Sequence, residues 1–129
     1  MKISFDFDGT LSKKKVQFFA AKLILEGHEV WVHTTRSNEE NQPFWIINGV
    51  KQKRYNDDLF QVTNRLGIPK ERIIFTNQKF SFEFMNKKNF VMHLDDDWLE
   101  IKELLNTDVK GISVFNNPNW QEEAEKLLR

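Results

Sequence analysis

The sequence predicts an α/β fold, a doubly wound and Rossmann-like sheet of five mostly parallel strands flanked by helices. Five short apolar segments alternate with stretches of helical periodicity along the chain. About twenty residues separate the first two strands, a length that is typical of a right-handed parallel crossover. A content of 40% apolar residues, with 12 Phe and 4 Trp among 129 residues, is sufficient to fill the core of such a fold.

The first predicted strand carries two carboxylates. Apolar and polar residues alternate over positions 3–8, and this period of two is that of a strand. Because residues two apart project to the same side, Asp6 and Asp8 are expected to emerge together while the phenyl rings face the core. Gly9 then ends the strand, and the hydroxyl of Thr10 suits a turn or a helix cap.

The next elements complete a β-α-β unit. An apolar stripe over residues 12–26 predicts a helix, which Gly27 closes. A short apolar strand is predicted at 29–33 and is followed by hydroxyl and basic residues. Residues 38–56 are predicted to be loop, within which 44–47 is either a short strand or a helical turn.

The second half of the chain repeats the alternation of helices and strands. Asn56 suits the cap of the first of these helices, and Gly67 suits its end. The predicted elements are, in order, a helix at 56–66, a strand at 73–75, a helix at 80–88, a strand at 90–94, a helix at 98–105, a strand at 111–115 and a C-terminal helix near Trp120. Since no linker, repeat or low-complexity tract interrupts them, we predict a single domain over residues 1–129.

Composition excludes several classes of site. Lys and Arg together number 19, as do Asp and Glu, so no global field directs the protein to nucleic acid or to a membrane, although a local basic patch is compatible with this balance. The absence of Cys excludes disulfides, thiolate chemistry and zinc–thiolate sites. No apolar run has the length of a membrane span and the N-terminus has no signal-peptide pattern, so we expect a soluble, cytoplasmic protein.

Polar residues follow four of the five predicted strands. They are Asp6 and Asp8, Thr34 and Thr35, Lys79, and Asp95–Asp97. The carboxyl ends of parallel strands lie along one edge of the sheet, where open α/β sheets bind their ligands, so these groups are expected to converge. Carboxylates held together repel one another unless they are protonated or bridged by a cation, and oxygen ligands without His or Cys favour Mg²⁺ over zinc. Mg²⁺ with an ammonium and a hydroxyl beside it is suited to receive a phosphoryl group.

The segment Asp6-Phe7-Asp8-Gly9-Thr10-Leu11 resembles the nucleophile motif of the haloacid dehalogenase (HAD) superfamily of phosphohydrolases. The order of the groups, from an Asp-x-Asp pair to a threonine, a lysine and an acidic pair, is also that of the four HAD motifs, so the resemblance covers nearly the whole chain. It implies that Asp6 is the nucleophile, which forms an aspartyl-phosphate, and that Asp8 is the general acid and then the general base. An acid at this second position is typical of phosphatases and phosphomutases, because an alkoxide leaving group needs a proton.

The resemblance also assigns the hydroxyl and the ammonium group. Thr34 matches the threonine of the second motif, with Thr35 as the less favoured alternative. Lys79 matches the lysine of the third motif, with Lys87 and Lys88 as alternatives because the spacing of that motif varies.

Asp95 and Asp96 match the fourth motif. The resemblance implies that Mg²⁺ is bound by the carboxylate of Asp6, the backbone carbonyl of Asp8 and a fourth-motif aspartate. Asp96 is the preferred ligand and Asp95 the neighbour that orients water or ligand, although three consecutive acids leave the register open by one residue. Asp97 is expected to cap the helix that follows.

Spacing predicts a site without a cap domain. About twenty residues separate the first two motifs, roughly one helix, and residues 37–55 have room for a flap but not for a domain. The resemblance therefore implies a capless phosphatase. Its open site suits a large phosphorylated substrate, such as a nucleic-acid end or a phosphoprotein, or requires a neighbouring subunit as a lid. A nucleotide or nucleic-acid phosphate is the preferred substrate.

Two other functions share parts of this pattern. A receiver-type phosphoacceptor domain also places Asp, Thr and Lys on a parallel sheet with Mg²⁺, but its acidic pair and its acceptor aspartate come in the reverse order. The second is a catalytically idle binding module of the same fold, and the intact acidic residues argue against it.

Several further features are interpreted as structural. Lys13–Lys15 are expected to form a solvated helical turn, although they oppose the helix dipole; the alternative is that they hold a polyanionic substrate. Arg36 is expected to pair with Glu39 or Glu40 rather than to touch a substrate. The aromatic set Phe80, Phe82, Phe84 and Trp98 is expected to pack in the core rather than to stack on a base. The separate histidines are expected to be packing or supporting groups.

Overall fold

The computed structural model describes residues 1–38, 44–53 and 56–129, with the backbone alone for 44–47 and 51–53. In chain order the elements are β1 (Lys2–Phe5), α1 (Lys14–Leu25), β2 (Glu29–Thr34), β3 (Phe44–Ile47), β4 (Val50–Lys53), α2 (Asp57–Leu66), β5 (Ile73–Phe75), α3 (Phe82–Met85), β6 (Phe90–Asp95), α4 (Trp98–Glu103), β7 (Lys110–Ser113) and α5 (Trp120–Leu127). All of the predicted strands and helices are present.

The strand β1 lies at the centre of a five-stranded sheet with the order β5-β2-β1-β6-β7. All of its pairings are parallel. The predicted fold class is confirmed, because the protein has an α/β, doubly wound parallel sheet flanked by helices, without a cap domain in the described residues. The carboxyl end of β1 has β2 on one side and β6 on the other, so polar groups from three strands can meet there.

The two faces of the sheet have different cores, because side chains alternate along each strand. Ile3 and Phe5 belong to the larger core, which includes residues of α1, α2 and α5. The smaller core contains Met85 of α3 and Leu104 of the turn after α4. Ser4, between the two apolar residues of β1, is fully buried on the face of the smaller core.

The first strand is shorter than the alternation over 3–8 predicts. It ends at Phe5, although the N–H of Asp6 still donates to the carbonyl of Leu94 (2.9 Å). Residues 7–11 then form one tight turn, in which Gly9 has a φ of 76°. The alternation of apolar and polar residues continues in the sequence through this turn, although the chain is no longer a strand there. Because the turn changes the direction of the side chains, the two acids separate: Asp6 is buried and Asp8 is exposed.

Other boundaries differ by a few residues. The helix α3 has four residues where the sequence predicts a helix over 80–88, and α4 ends at Glu103 before a 3₁₀ turn. The strand β7 ends at Ser113, two residues before the predicted end. Leu105 and Phe115, the apolar residues that extend these predictions, are 78% and 61% exposed, so they give no burial that would prolong the elements.

The expected core packing of the aromatic residues between 80 and 98 is wrong for three of them. Phe80, Phe84 and Trp98 are 39%, 36% and 65% exposed. Phe84 lies in α3, Phe80 just before it, and Trp98 begins α4; each of these short helices can bury only a narrow stripe of side chains.

The segment at 44–47, for which a strand and a helical turn are both compatible with the sequence, is a strand. It pairs antiparallel with β4 and forms a hairpin between β2 and α2. The rest of the predicted loop at 38–56 is described only in part, because residues 39–43 and 54–55 lie outside the described residues. Among the helices of the described residues, of which α1 with 12 residues is the longest, none is both long and apolar enough to cross a membrane.

Leu94 tests the larger core, because it is fully buried in β6, beside the central strand. We expect Leu94→Ala to lower the free energy of unfolding by about 2–5 kcal/mol, the usual cost of such a cavity. Leu25→Ala is the matched control: Leu25 is 88% exposed at the end of α1, and its truncation should change the free energy by less than about 0.5 kcal/mol. Urea denaturation followed by circular dichroism measures both, and equal effects would contradict this assignment.

Candidate metal centre

A cavity of about 330 Å³ opens at the carboxyl edge of the sheet. Its walls are formed by Asp6, Asp8, Thr35, Asp95, Asp96, Asp97 and Glu100. All but one of these residues carry a carboxylate, so the chemistry of the cavity is that of oxygen donors held close together. The structure thus brings the acidic groups that follow β1 and β6 to one place.

Asp6, Asp95 and Asp96 form what we call the acid cluster. One carboxylate oxygen of each lies within 4.8 Å of the others. Asp6 and Asp95 are buried, with 9% and 2% of their surface exposed, and Asp96 is half-buried. The hydroxyl of Thr10 makes long contacts with Asp6 Oδ2 (3.4 Å) and Asp96 Oδ1 (3.5 Å), and so bridges the two segments.

The backbone explains why these acids meet. The strands β1 and β6 pair in parallel, and Asp6 and Asp95 lie one residue beyond the last pair of these two strands, so they come side by side at the carboxyl edge. Gly9 brings the turn after β1 against Asp96, since a Cβ added at Gly9 would lie 2.2 Å from Asp96 Oδ2. The acid cluster therefore depends on one strand pairing and on glycine at one position.

Burial and mutual repulsion raise the proton affinity of the acid cluster. The pKa of Asp6 is raised from 3.8 to about 10, first by burial and then by the neighbouring carboxylates of Asp95, Asp96 and Asp8. The pKa of Asp96 is also raised, chiefly by burial. Without a cation Asp6 keeps its proton at neutral pH, whereas a cation among the three carboxylates favours the ionised form.

The acid cluster fits a hard divalent cation. Mg²⁺ binds oxygen at about 2.0–2.1 Å, so two ligands on opposite sides of the ion are about 4.2 Å apart. The oxygens of the cluster lie within 4.8 Å of one another, which is compatible with that spacing. Among the described residues, no side chain lining the cavity offers a nitrogen or sulfur ligand, and this favours Mg²⁺ over zinc. The carboxylates placed to hold the ion are those of Asp6, Asp95 and Asp96.

Asp8 lies on the wall of the cavity, but its carboxylate contacts Arg36. Arg36 Nε donates to one oxygen (2.9 Å) and Nη2 to the other (2.7 Å). The same guanidinium donates to both oxygens of Asp58 in α2 (2.7 and 2.9 Å) and lies 5.0 Å from the centroid of the Phe7 ring. The hydrogen bonds to Asp58 and Asp8 raise the pKa of Arg36, and the guanidinium lowers that of Asp58.

Arg36 therefore joins three parts of the fold. Its expected partners, Glu39 and Glu40, lie outside the described residues. Among the described residues its charge is shared between Asp8 and Asp58, which are 28 and 22 residues away in sequence. These contacts tie the end of β2 to the turn after β1 and to the start of α2, and they fix where the carboxylate of Asp8 lies.

The two threonines after β2 have different environments. Thr34 is fully buried, and its hydroxyl accepts the N–H of Arg36 (3.3 Å). Thr35 lines the cavity. The hydroxyl-bearing residue on the cavity wall is thus Thr35, the less favoured alternative on sequence grounds, while Thr34 supports the turn beneath it.

The candidate lysines lie at opposite edges of the sheet. Lys79 follows β5 at the carboxyl edge and is exposed, with two strand spacings, about 10 Å, between β5 and β1. Within the described ranges no hydrogen bond or ion pair joins its ammonium group to the acid cluster. Lys87 and Lys88 precede β6, and the five steps from Phe90 to Asp95 in that strand already span about 17 Å. Of the three candidates, only Lys79 lies at the carboxyl edge of the sheet, and it is not among the residues that line the cavity.

A buried polar network supports Asp95 from the second face of the sheet. His93 Nε2 lies 2.8 Å from Asp95 Oδ2, and Ser4 Oγ lies 2.7 Å from Nδ1 of both His93 and His33. Burial, with the charges of His93 and Lys2, lowers the pKa of His33 to about 3. One assignment of hydrogens satisfies these contacts: His93 donates to Asp95 and accepts from Ser4, which in turn accepts from the other histidine. His93 therefore supports Asp95 directly, and His33 supports it through Ser4.

One acidic residue of the cavity, Glu100, is not among the site residues that the sequence predicts. Glu100 is 4% exposed, accepts the N–H of Ser81 (3.1 Å), and has its pKa raised chiefly by burial. The spacing Asp97-x-x-Glu100 before a helix is that of a capping box and is the signal by which it could have been found. Asp97 caps α4 as predicted, accepting the N–H two residues later (3.0 Å), but Glu100 turns to the neighbouring loop instead.

No protein-family model, curated protein or solved structure matches this chain. The resemblance to the HAD superfamily stays a prediction from the motifs, and the function has to be argued from the site itself.

Removal of one charge from the acid cluster tests its electrostatics. Because the pKa of Asp6 is raised, the folded protein holds a proton that the unfolded chain releases above about pH 4, so the metal-free protein loses stability as the pH rises toward 10. At pH 8 we expect Asp6→Asn to raise the Tm of the metal-free protein by about 3 °C, equivalent to roughly 1 kcal/mol, and to abolish stabilisation by Mg²⁺. Calorimetry in EDTA and in Mg²⁺ measures both effects.

The matched control for that experiment is Asp58→Asn, which removes a carboxylate outside the acid cluster. It should not raise the Tm in EDTA, because Asp58 has Arg36 as a partner, and it should leave the response to Mg²⁺ intact. A wild type that is more stable than Asp6→Asn in EDTA at pH 8 would contradict the repulsion described above.

Gly9→Ala tests the close approach of the turn to Asp96. Gly67→Ala is its control, because Gly67 has nearly the same φ (78° against 76°) but no atom within 4 Å of an added Cβ. Both variants should lose about 1–2 kcal/mol of stability from backbone strain. Only Gly9→Ala displaces the Asp96 carboxylate, so we expect it to weaken Mg²⁺ binding at least about tenfold, equivalent to about 1.4 kcal/mol. Equal Mg²⁺ affinities of Gly9→Ala and Gly67→Ala, measured by titration calorimetry, would contradict the assignment of Asp96 as a metal ligand.

Proposed function

We propose that the protein is a Mg²⁺-dependent phosphomonoester hydrolase that works through an aspartyl-phosphate at Asp6. The acid cluster carries this proposal, because a buried carboxylate has two others within 4.8 Å at the carboxyl edge of a parallel sheet. When bound by Asp6, Asp95 and Asp96, Mg²⁺ supplies positive charge for the oxygens of a transferring phosphoryl group. The resemblance of residues 6–11 to a HAD nucleophile motif supports the same assignment.

Asp6 is the nucleophile of the proposed reaction. Its backbone is fixed on both sides, since its N–H donates to Leu94 (2.9 Å) and its carbonyl accepts from Leu11 (3.0 Å). One carboxylate oxygen attacks phosphorus while the bond from phosphorus to the leaving oxygen breaks. The products of this step are the aspartyl-phosphate and an alkoxide that needs a proton.

Asp8 in its protonated form gives that proton, and the carboxylate so formed takes one back from the water that cleaves the aspartyl-phosphate, which restores the acid. In the structure both of its oxygens accept hydrogen bonds from Arg36, so the carboxylate has to turn away from the guanidinium to reach the leaving oxygen. Arg36 retains Asp58 as a partner when this happens. We therefore assign Arg36 as a positioning residue, which holds Asp8 at the cavity wall between turnovers.

Thr35 and Lys79 are assigned to the remaining oxygens of the phosphoryl group. Thr35 lines the cavity, and its hydroxyl is assigned as a donor to one oxygen. Lys79 stands on a turn closed by its own N–H donating to the carbonyl of Thr76 (3.2 Å) and by the hydroxyl of Thr76 donating to its carbonyl (2.7 Å). Its long side chain has to extend over β2 to bring the ammonium group to the substrate.

A nucleotide or the phosphorylated end of a nucleic acid is the proposed substrate. In the described residues, the β3–β4 hairpin is the element that stands between β2 and α2, and no domain covers the cavity. A site of this kind admits a large substrate, and a second copy of the chain is the alternative source of a lid.

Hydrolysis of an aryl phosphate, with Mg²⁺ or with EDTA, tests the proposal. We expect turnover that requires Mg²⁺, falls by at least about 10³-fold in Asp6→Asn, and falls by about 10²–10⁴-fold in Asp8→Asn. Asp58→Asn is the control, because it makes the same chemical change next to Arg36 but outside the cavity, and it should keep most of the activity. After acid quenching, mass spectrometry should find the phosphoryl group on the peptide that contains Asp6. The phosphorylated fraction of this peptide should be larger in Asp8→Asn than in wild type, because the variant lacks the base that activates water for the second step.

Other results would support the alternatives. Full Mg²⁺-dependent activity in Asp6→Asn would exclude Asp6 as the nucleophile. A long-lived aspartyl-phosphate after treatment with acetyl phosphate, without turnover, would favour a receiver-type domain. Mg²⁺ binding with no turnover of aryl phosphate, nucleotides, end-phosphorylated oligonucleotides or phosphopeptides would favour an idle binding module.

A further inference from the structure

A second and larger cavity, of about 740 Å³, lies on the same edge of the sheet as the acid cluster. Its functional side chains are Lys13, Lys14, Lys15, Asn116, Asn117 and Trp120, which we call the basic cleft. We propose that the basic cleft binds the backbone and a base of a single-stranded nucleic acid whose terminal phosphate enters the acid cluster, an inference that rests on the proposed function. The volume is within the range of ligand pockets, about 300–1,000 Å³.

Both walls of the basic cleft begin at residues that touch the acid cluster. The N–H of Lys13 donates to the carbonyl of Thr10 (3.0 Å), and the hydroxyl of Thr10 contacts two carboxylates of the cluster. On the other wall, the N–H of Val114 donates to the carbonyl of Asp95 (2.9 Å), and the loop after β7 continues from there. A chain bound in the basic cleft is therefore directed to the candidate nucleophile.

The three lysines of the basic cleft are exposed and have no carboxylate partner among the described residues. By contrast, Lys22 of the same helix pairs with Glu125 (2.7 Å) and Glu26 (3.9 Å). The lysines also stand at the start of α1, where the positive end of the helix dipole disfavours cations. Among the described residues this placement gives the lysines no ion pair, whereas a polyanion would neutralise their charges.

Trp120 gives the basic cleft a fixed aromatic wall. Its ring is held edge-on against the buried ring of Phe19, with centroids 5.4 Å apart and planes at 83°, and its remaining surface lines the cleft. Asn117 anchors the adjoining loop by donating to the carbonyl of Ser113 (2.8 Å), and Asn116 is exposed beside it. Positive charge next to an aromatic ring is the combination by which proteins bind the backbone and bases of single strands.

Anisotropy of a labelled oligothymidine of about ten nucleotides, without a terminal phosphate and in EDTA, tests the basic cleft apart from any chemistry. The variant Lys13→Gln/Lys14→Gln/Lys15→Gln keeps good helix formers. Its control, Lys102→Gln/Lys110→Gln/Lys126→Gln, removes the same charge from exposed positions elsewhere. We expect the cleft variant to bind at least about tenfold more weakly at low salt, with a salt slope smaller by about 2, because each contact to a single strand contributes about 0.7.

The control variant should bind within about twofold of wild type, and the cleft variant should unfold at the same or a higher temperature, since it loses charges that oppose the helix dipole. No measurable binding by the wild type would overturn the inference, as would equal affinities of the two variants. Competition by polyglutamate as strong as that by unlabelled oligothymidine would also overturn it, because the cleft would then accept any polyanion, an acidic phosphoprotein included.

Kinetics separate this inference from the proposed phosphatase. The cleft variant should raise KM for an end-phosphorylated oligonucleotide about tenfold, and that for an aryl phosphate much less, because an aryl phosphate does not fill the basic cleft. If both proteins turn over aryl phosphate and the cleft variant has the same KM for the oligonucleotide as wild type, the inference about the basic cleft would be overturned while the phosphatase proposal stands. Lysine-dependent oligonucleotide binding without turnover of any substrate would support the cleft while the phosphatase proposal fails.

Discussion

Repulsion among the carboxylates of Asp6, Asp95 and Asp96 is the constraint on which the rest of the site depends. Three carboxylates within 4.8 Å in a partly buried cavity persist only if protons, a cation or fixed donors balance them. Their proximity is imposed by the parallel pairing of β1 and β6, whose alternate residues pack in the larger core. The hydrophobic packing of the sheet thus holds together carboxylates that would separate in solution, and a cation among them would relieve their repulsion.

The second face of the sheet supplies donors to one member of the acid cluster and not to the others. His93 donates to Asp95 from below, and Ser4 joins it to a further buried histidine, so this carboxylate is orientated by side chains that are themselves fixed. In the part of the chain that the structure describes, every buried side-chain nitrogen or oxygen atom has a partner. A network with all its bonds made is rigid. Among the described residues Asp6 has no such support beyond the cluster and Thr10, so its protonation state follows what binds in the cavity, as its proposed role as nucleophile requires.

The parallel edge makes much of this site predictable from the sequence. In a chain that alternates strands and helices, the residues after each strand lie on one edge, and that rule alone brings Asp6 and Asp95 together. It does not determine which way a side chain faces after the strand has ended. The strand β2 continues through Thr34, one residue beyond the predicted end, and the wall of the cavity is therefore reached by Thr35. No local sequence pattern predicts the pairing of Arg36 with Asp8 and Asp58, which are 28 and 22 residues away. This pairing depends on the tertiary arrangement of the turn after β1 and the start of α2.

Neutrality of the whole chain, with 19 basic and 19 acidic residues, conceals opposite local charges at this edge. At physiological ionic strength, interactions between exposed charges are screened beyond about 8 Å. The attraction of a phosphate group to the protein would therefore depend on the charges close to it and not on the net charge of the chain. Thr10 belongs to both regions, because its hydroxyl contacts the acid cluster and its carbonyl accepts the N–H of Lys13. Lysines three to five residues beyond Thr10 are thus near enough to attract a polyanion that the carboxylates alone would repel. Overall charge balance is therefore no argument against a polyanionic substrate, since the attraction would arise within a few residues of the reacting phosphate.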